Sequence, residues 1–282
     1  MKVFYTHVKQ HSLALVFAVV VGTLSVLPTV LAPLALGDGY QGVQFFYLND
    51  ETIYRARIHE ILDGHSAVAS PFLSEYKDAA AVVPPINEFF YAVPAFVLGL
   101  SGAVVFAKFV FPLVLFLLVY LLVVGLLSSL PLDTKRLTAI TCGLLVTLGY
   151  DLVDVGWVKT LLMGDAGTHL LIWTRLVNPV TAVLVAFTAL IVMWRIMNGK
   201  SKLLAIPLAA ILAVSVGYFF SFAVCYVFLG LLTLVALVHK DYPAARAFIV
   251  AGLLSLLIDA SYWQHTLSTI GGEAGRDRKS TR

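Results

Sequence analysis

Charge is scarce in this chain: only 12% of its 282 residues are Asp, Glu, Lys or Arg, whereas 60% are hydrophobic. Water-soluble domains carry about 25% charged residues. Several apolar runs reach about 20 residues, the length that crosses a bilayer core of about 30 Å as a helix. Because backbone polar groups in lipid must be satisfied within each segment, we expect an all-α polytopic membrane protein.

Cysteine is almost absent too, and both Cys142 and Cys225 lie inside apolar runs. We therefore expect no disulfide framework, and the chain contains no CxxC metal-ligand spacing. The chain also lacks a P-loop, a GxSxG motif and a GxGxxG motif in a βαβ context. We expect no cofactor, no bound metal and no nucleic-acid partner.

Seven apolar segments are predicted to span the membrane, and a further one is ambiguous. The first run is too long for the apolar region of a signal peptide, so it is interpreted as an anchor rather than a cleaved leader. Segment 86–101 contains Pro94 and is either an interfacial helix or a short span. The predicted spans are 12–36, 103–130, 137–150, 177–197, 203–219, 221–239 and 244–260.

The distribution of charge decides this ambiguity. If 86–101 is interfacial, the four cytoplasmic pieces hold nine basic residues and two acids, and loop 38–102 holds three basic residues and eight acids. Basic residues concentrate in cytoplasmic loops. The prediction is therefore a plasma-membrane protein with a cytoplasmic N-terminus and an extracytoplasmic first loop. Residues 1–260 form its membrane domain, and 261–282 form a basic tail that is disordered or marks a truncated chain.

Polar residues concentrate between Tyr47 and His65, in the stretch YLNDETIYRARIHEILDGH. Acids at 50 and 51 favour a helix start, and Gly64 suits a left-handed C-terminal cap. Apolar residues lie on one face, opposite Arg55, His59 and Glu60, so an interfacial helix over 50–63 is predicted, followed by another over 85–100. The acid pair either caps its helix or supplies a general base.

This stretch resembles the first extracytoplasmic loop of GT-C-fold glycosyltransferases, including the protein O-mannosyltransferases and lipid A aminoarabinose transferases. Those families place an Asp-Glu pair after the first span, then an aromatic residue and an acid in the same helix, then a proline-rich stretch before a juxtamembrane helix. The matching positions here are Asp50, Glu51, Tyr54, Glu60 and Pro84-Pro85. The resemblance implies that Asp50 is the catalytic carboxylate and Glu51 its partner.

The donors of those enzymes are polyprenyl-phosphate sugars, whose phosphate a basic side chain can bind. Lys108 either binds this phosphate or extends to the interface. Arg175, in an R-x-x-N-P sequence, either binds it, pairs with Asp165 or anchors its span with Trp173. The predicted substrate-binding residues are Tyr54, Arg55, Arg57, Glu60, Lys108 and Arg175.

The expected function is transfer of a sugar from a polyprenyl-phosphate donor to a lipid, glycan or protein acceptor at the extracytoplasmic face. A transporter or flippase is the main alternative, and it would place ionisable groups or broken helices near the bilayer midplane. A non-catalytic assembly subunit is the third possibility.

Overall fold

The computed structural model describes residues 10–40, 50–65, 67–68, 84–153, 172–199 and 202–267, and its secondary structure there is helical. The expected all-α class is thereby confirmed. The helices, numbered along the described residues, are α1 Ser12–Leu36, α2 Asp50–Leu62, α3 Ile86–Leu126, α4 Leu132–Val153, α5 Val180–Met197, α6 Ala205–Ser215, α7 Phe219–Val238, α8 Tyr242–Ile258 and α9 Ala260–Leu267.

Four of the described helices are long and apolar enough to cross a membrane: Ser12–Gly39, α3, α5 and α7. The bent pair formed by α8 and α9 brings the number to five if it counts as one span. Two other predicted spans are helical but do not belong to this group. Helix α6 has only 11 residues, and α4 carries Asp133, Lys135 and Arg136 near its start. A multi-pass membrane protein is supported, whereas the count of seven spans stays a prediction.

Helix α3 changes direction at Gly99, whose φ of 68° and ψ of 166° are non-helical. A straight helix of its 41 residues would measure about 62 Å, twice the thickness of a bilayer core. The break leaves about 20 Å of helix over 86–98 and about 40 Å over 100–126. Only the second part is long enough to span alone, and the interfacial position of the first part stays a prediction.

Helix α2 ends at the glycine that the sequence indicated. Gly64 has a φ of 97°, and its N–H donates to the Ile61 carbonyl at 3.1 Å. The next N–H, that of His65, donates to the Glu60 carbonyl at 2.9 Å. These two bonds form a Schellman motif, which satisfies carbonyls at the end of the helix.

Small residues let α1 approach α3 closely. Ala14, Ala18 and Gly22 recur every fourth residue, and the two alanines are 1% exposed. A Cβ built on Gly22 would lie 2.6 Å from the backbone oxygen of Phe109. Such small-residue contacts are typical of helix packing in lipid. Larger apolar side chains such as Leu34 (73% exposed) point away from the bundle, as lipid-facing residues do.

The end of the described chain differs from the expected tail. Helices α8 and α9 meet at Asp259 with a bend of 60°, and α9 continues to Leu267. The expectation of a disordered segment from residue 261 is therefore wrong for 261–267. Residues 268–282 lie outside the described part of the chain.

Candidate active site

Helix α2 docks on the first part of α3 through an apolar cluster. Ile58 and Ile61 are 0% and 6% exposed and belong to the same cluster as Tyr91. The segment that precedes α5 adds Leu176 and Val177 to it. The polar stretch is thus fixed to two other parts of the chain, and its charged residues occupy defined positions.

The acidic pair lies at the first turn of α2. Asp50 is the first residue of the helix, although its side chain falls outside the described part of the structure. Glu51 is 1% exposed. Its carboxylate interacts electrostatically with the ammonium group of Lys108 and with the Tyr91 hydroxyl. A carboxylate and an ammonium group, both predicted site residues, therefore act on each other inside the protein.

Lys108 is a buried residue and not a lipid-facing one. It is 3% exposed and lies on α3 close to two residues of the apolar cluster, Ala107 and Phe111. A lysine that extended to the interface would leave its head group in water. Charged groups within spans usually face the bundle interior and pair with one another. Of the alternatives for Lys108, extension to the interface is therefore wrong.

Two arginines connect α2 to α3. Arg55 donates from Nη2 to the Ser101 hydroxyl at 3.2 Å. Arg57 donates from Nε to Oε1 of Glu88 at 2.6 Å, and the side chains of this ion pair are only 15% and 4% exposed. Both arginines thus join α2 to α3, and Arg57 already has a carboxylate partner.

The polar face assigned to α2 needs one correction. Glu60 was expected on the solvent side with Arg55 and His59, yet it is only 8% exposed. His59, in contrast, is exposed and pairs with Asp63 at 3.0 Å. Periodicity failed for Glu60 because it considers the helix alone, whereas α2 packs on α3 and on the segment before α5.

Tyr54 belongs to a polar network. Its hydroxyl accepts a hydrogen bond from Nδ2 of Asn178 at 3.3 Å. The Oδ1 atom of Asn178 accepts from Nδ2 of Asn87 at 3.1 Å. The same Asn87 amide also donates to the Gly217 carbonyl at 3.1 Å, so the network joins α2, α3, the segment before α5 and the turn between α6 and α7.

Arg175 precedes this network by three residues. It is half-buried, and the next two residues, Leu176 and Val177, are buried in the apolar cluster. The indole N–H of Trp173 donates to the Val146 carbonyl at 2.8 Å, so this side chain binds α4. Asp165, the other suggested partner of Arg175, lies outside the described residues.

Sequence reasoning missed the residues of α3 that face the site. Asn87, Glu88 and Tyr91 are buried, whereas Phe96 and Val97 on the same helix part are 68% and 86% exposed. The polar side therefore points into the protein and the apolar side points outward. The signal was the Asn-Glu pair directly after Pro84-Pro85, because polar residues opening an apolar run need partners when the helix is packed.

An apolar groove begins next to the polar network. Its volume is about 400 Å³, and it runs between α5 and α7. Pro179, which follows Asn178, lines it together with Tyr218, which follows Gly217. The groove is also lined by Ala182, Val183, Ala186, Phe187, Leu190, Phe220, Ser221 and Val224.

No group of three His, Cys, Asp or Glu residues within the described ranges is arranged to hold a metal ion. The chain matches no protein-family model, no curated protein and no solved structure. Its function must therefore be inferred from the arrangement of its own residues.

Proposed function

We propose that this protein is an integral-membrane glycosyltransferase that moves a sugar from a polyprenyl-phosphate donor to an acceptor at the extracytoplasmic face. The observation that carries the proposal is the electrostatic interaction of buried Glu51 with buried Lys108 at the start of α2. Burying two ionisable groups in an apolar bundle is costly. Such groups concentrate at functional sites.

In the proposed reaction the acidic and the basic side chains have different roles. Asp50 accepts the proton of the acceptor hydroxyl while that oxygen bonds to the anomeric carbon of the sugar. The bond from this carbon to the donor phosphate oxygen breaks, and the lipid phosphate leaves with the electron pair. Attack opposite the leaving group inverts the anomeric configuration. Glu51 is assigned a positioning role because it interacts with Lys108.

The leaving phosphate carries the negative charge that basic side chains would stabilise. Lys108 is the first candidate because it interacts electrostatically with Glu51. Arg55 on α2 and Arg175 in the segment before α5 are the further candidates. Arg57 contributes less directly because Glu88 holds its Nε. A guanidinium or ammonium group placed where charge develops lowers the barrier by several kcal/mol in typical sites, roughly 2.7–4 for one donor.

The groove between α5 and α7 suits the lipid chain of such a donor. Its lining is almost entirely apolar, and two of its residues, Pro179 and Tyr218, directly follow Asn178 and Gly217 of the polar network. Binding sites for apolar ligands combine apolar walls with a few polar groups that fix orientation. A polyprenyl chain lying there would bring its phosphate towards α2.

The test is a transfer assay with purified protein in lipid vesicles. A panel of radiolabelled polyprenyl-phosphate sugars is supplied with membrane acceptors, and labelled product is counted. Transfer of one sugar by the wild type and a loss of about 10²-fold or more in Glu51→Gln are expected. If the wild type transfers a sugar from the panel and Glu51→Gln transfers it at the same rate, the assignment of Glu51 is overturned.

A transporter or flippase remains the second candidate because of Asp259. This residue is 8% exposed, lies at the 60° bend between α8 and α9, and its Oδ2 has no hydrogen-bond partner among the described residues. Transporters place ionisable groups at broken helices. Vesicle uptake of the labelled donor without any transfer, abolished by Asp259→Asn, would favour this candidate over the enzyme.

A further inference from the structure

A polar cavity lies at the other end of the bundle from Lys108. It has a volume of about 290 Å³ and lies between the starts of α1 and α4 and the later part of α3. Tyr120, in its wall, is about 18 Å along the helix axis from Lys108. The polar residues in its lining are Gln10, His11, Ser12, Tyr120, Asp133 and Arg136.

Arg136 is the dominant charge of this cavity. Its side chain is only 23% exposed, and its Nη1 lies 3.6 Å from a carboxylate oxygen of Asp133, which is itself 98% exposed. The Nε and Nη2 atoms are buried, and within the described part of the chain nothing accepts a hydrogen bond from them. A buried donor without a partner is destabilising, and an anion that accepted hydrogen bonds from these two atoms would remove this cost.

Tyr120, in the cavity wall, interacts both with this charge and with His11. Tyr120 is 2% exposed, interacts electrostatically with Arg136 and shares a hydrogen bond of 2.6 Å with Nδ1 of His11. That bond connects the start of α1 to α3. The cavity wall is therefore held in place by contacts that do not use the two free guanidinium donors.

We propose that this cavity binds the phosphate group of an anionic membrane phospholipid, with Arg136 as the main contact. Arginine presents paired N–H donors that match phosphate oxygens. Leu13 and Leu137 also line the cavity and are 57% and 67% exposed, so they offer an apolar path for the acyl chains. The sequence-based topology puts this end in the cytoplasm, where membranes are enriched in anionic lipid.

The proposal is tested by native mass spectrometry of the full chain released from vesicles of phosphatidylcholine and phosphatidylglycerol. The wild type should retain phosphatidylglycerol about tenfold over phosphatidylcholine, the equivalent of about 1.4 kcal/mol. Arg136→Gln should remove this preference. Lys135→Gln is the matched control, because it removes the same charge from the same turn without touching the cavity lining, and it should keep the preference.

Two further measurements test whether Arg136 binds the lipid phosphate. Asp133→Asn leaves Arg136 intact and removes a competing carboxylate, so it should raise the retention of phosphatidylglycerol. Unchanged or lower retention would overturn the proposal even if Arg136→Gln failed to fold. An excess of inorganic phosphate tests whether the bound phosphate group comes from a lipid or from a free anion. If inorganic phosphate raises the unfolding midpoint and no lipid is retained, the lipid assignment is overturned. Equal losses in Lys135→Gln and Arg136→Gln would also overturn it.

Discussion

Arg57 on α2 donates to Glu88 on α3 across 2.6 Å, and this ion pair connects the two helices of the first loop. With side chains only 15% and 4% exposed, the loss of one partner leaves the other charge buried. Replacing Glu88 with Leu should lower stability by up to about 3–5 kcal/mol. The measurement is the midpoint of thermal unfolding in detergent, followed by fluorescence.

The exposed pair of His59 and Asp63 is the control for that experiment. Its side chains are 62% and 50% exposed at a separation of 3.0 Å, and exposed pairs contribute about 0–1 kcal/mol. Asp63→Asn should therefore change the unfolding midpoint little. Equal shifts in Asp63→Asn and Glu88→Leu would contradict a structural role for the Arg57–Glu88 pair.

The interaction of Glu51 with Lys108 predicts non-additive effects of substitution. Lys108→Met removes the cation and leaves the Glu51 carboxylate buried, so it should be destabilising. Adding Glu51→Gln should restore part of the loss, since both charges are then gone. Coupled neighbours show interaction energies of about 0.5–3 kcal/mol in such cycles. Additive shifts in the unfolding midpoints of the single and double variants would show that the two groups do not interact.

The break at Gly99 predicts a backbone effect. Its φ of 68° and ψ of 166° lie in a region that residues with a Cβ avoid. Gly99→Ala should cost about 1–3 kcal/mol, although a Cβ there would meet no atom within 4 Å. Gly230 in α7 has equally open surroundings and an ordinary helical backbone, so Gly230→Ala should be neutral or stabilising. The reverse order of the two unfolding midpoints would disprove the break.

Much of the fold could be predicted because its signals are local. The bounds of α1 follow from an apolar run. The end of α2 follows from Gly64, because the left-handed conformation at a helix C-terminus favours glycine. These two predictions depend on neighbouring residues only, whereas the division of 86–126 into an interfacial helix and a span depended on the charges of the loops along the whole chain.

The contacts within the candidate site could not be predicted in the same way. Arg57 meets Glu88 and Tyr54 meets Asn178 only because separate helices pack together. In an apolar helix the sequence does not distinguish a lipid-facing side from a protein-facing side, because both carry similar residues. The burial of Lys108 and Glu60 was therefore visible only in the packed bundle.

The predicted topology is tested by labelling single cysteines. Cys142 and Cys225 are first replaced by Ala, and then Asp63→Cys or Asp133→Cys is introduced at exposed positions. A membrane-impermeant maleimide should label position 63 in intact cells and position 133 only after permeabilisation. The opposite pattern would put the acidic loop in the cytoplasm and remove the basis for an extracytoplasmic reaction.

The most direct test of the proposed function is the rate of sugar transfer by Asp50→Asn. With the donor identified from the panel and vesicles of equal protein content, this variant should lose at least about 10²–10⁴-fold in rate, the typical contribution of a general base. Asp63→Asn, the same substitution at the other end of α2, should keep the wild-type rate. Equal transfer by Asp50→Asn and the wild type would contradict the assignment of Asp50 as the base.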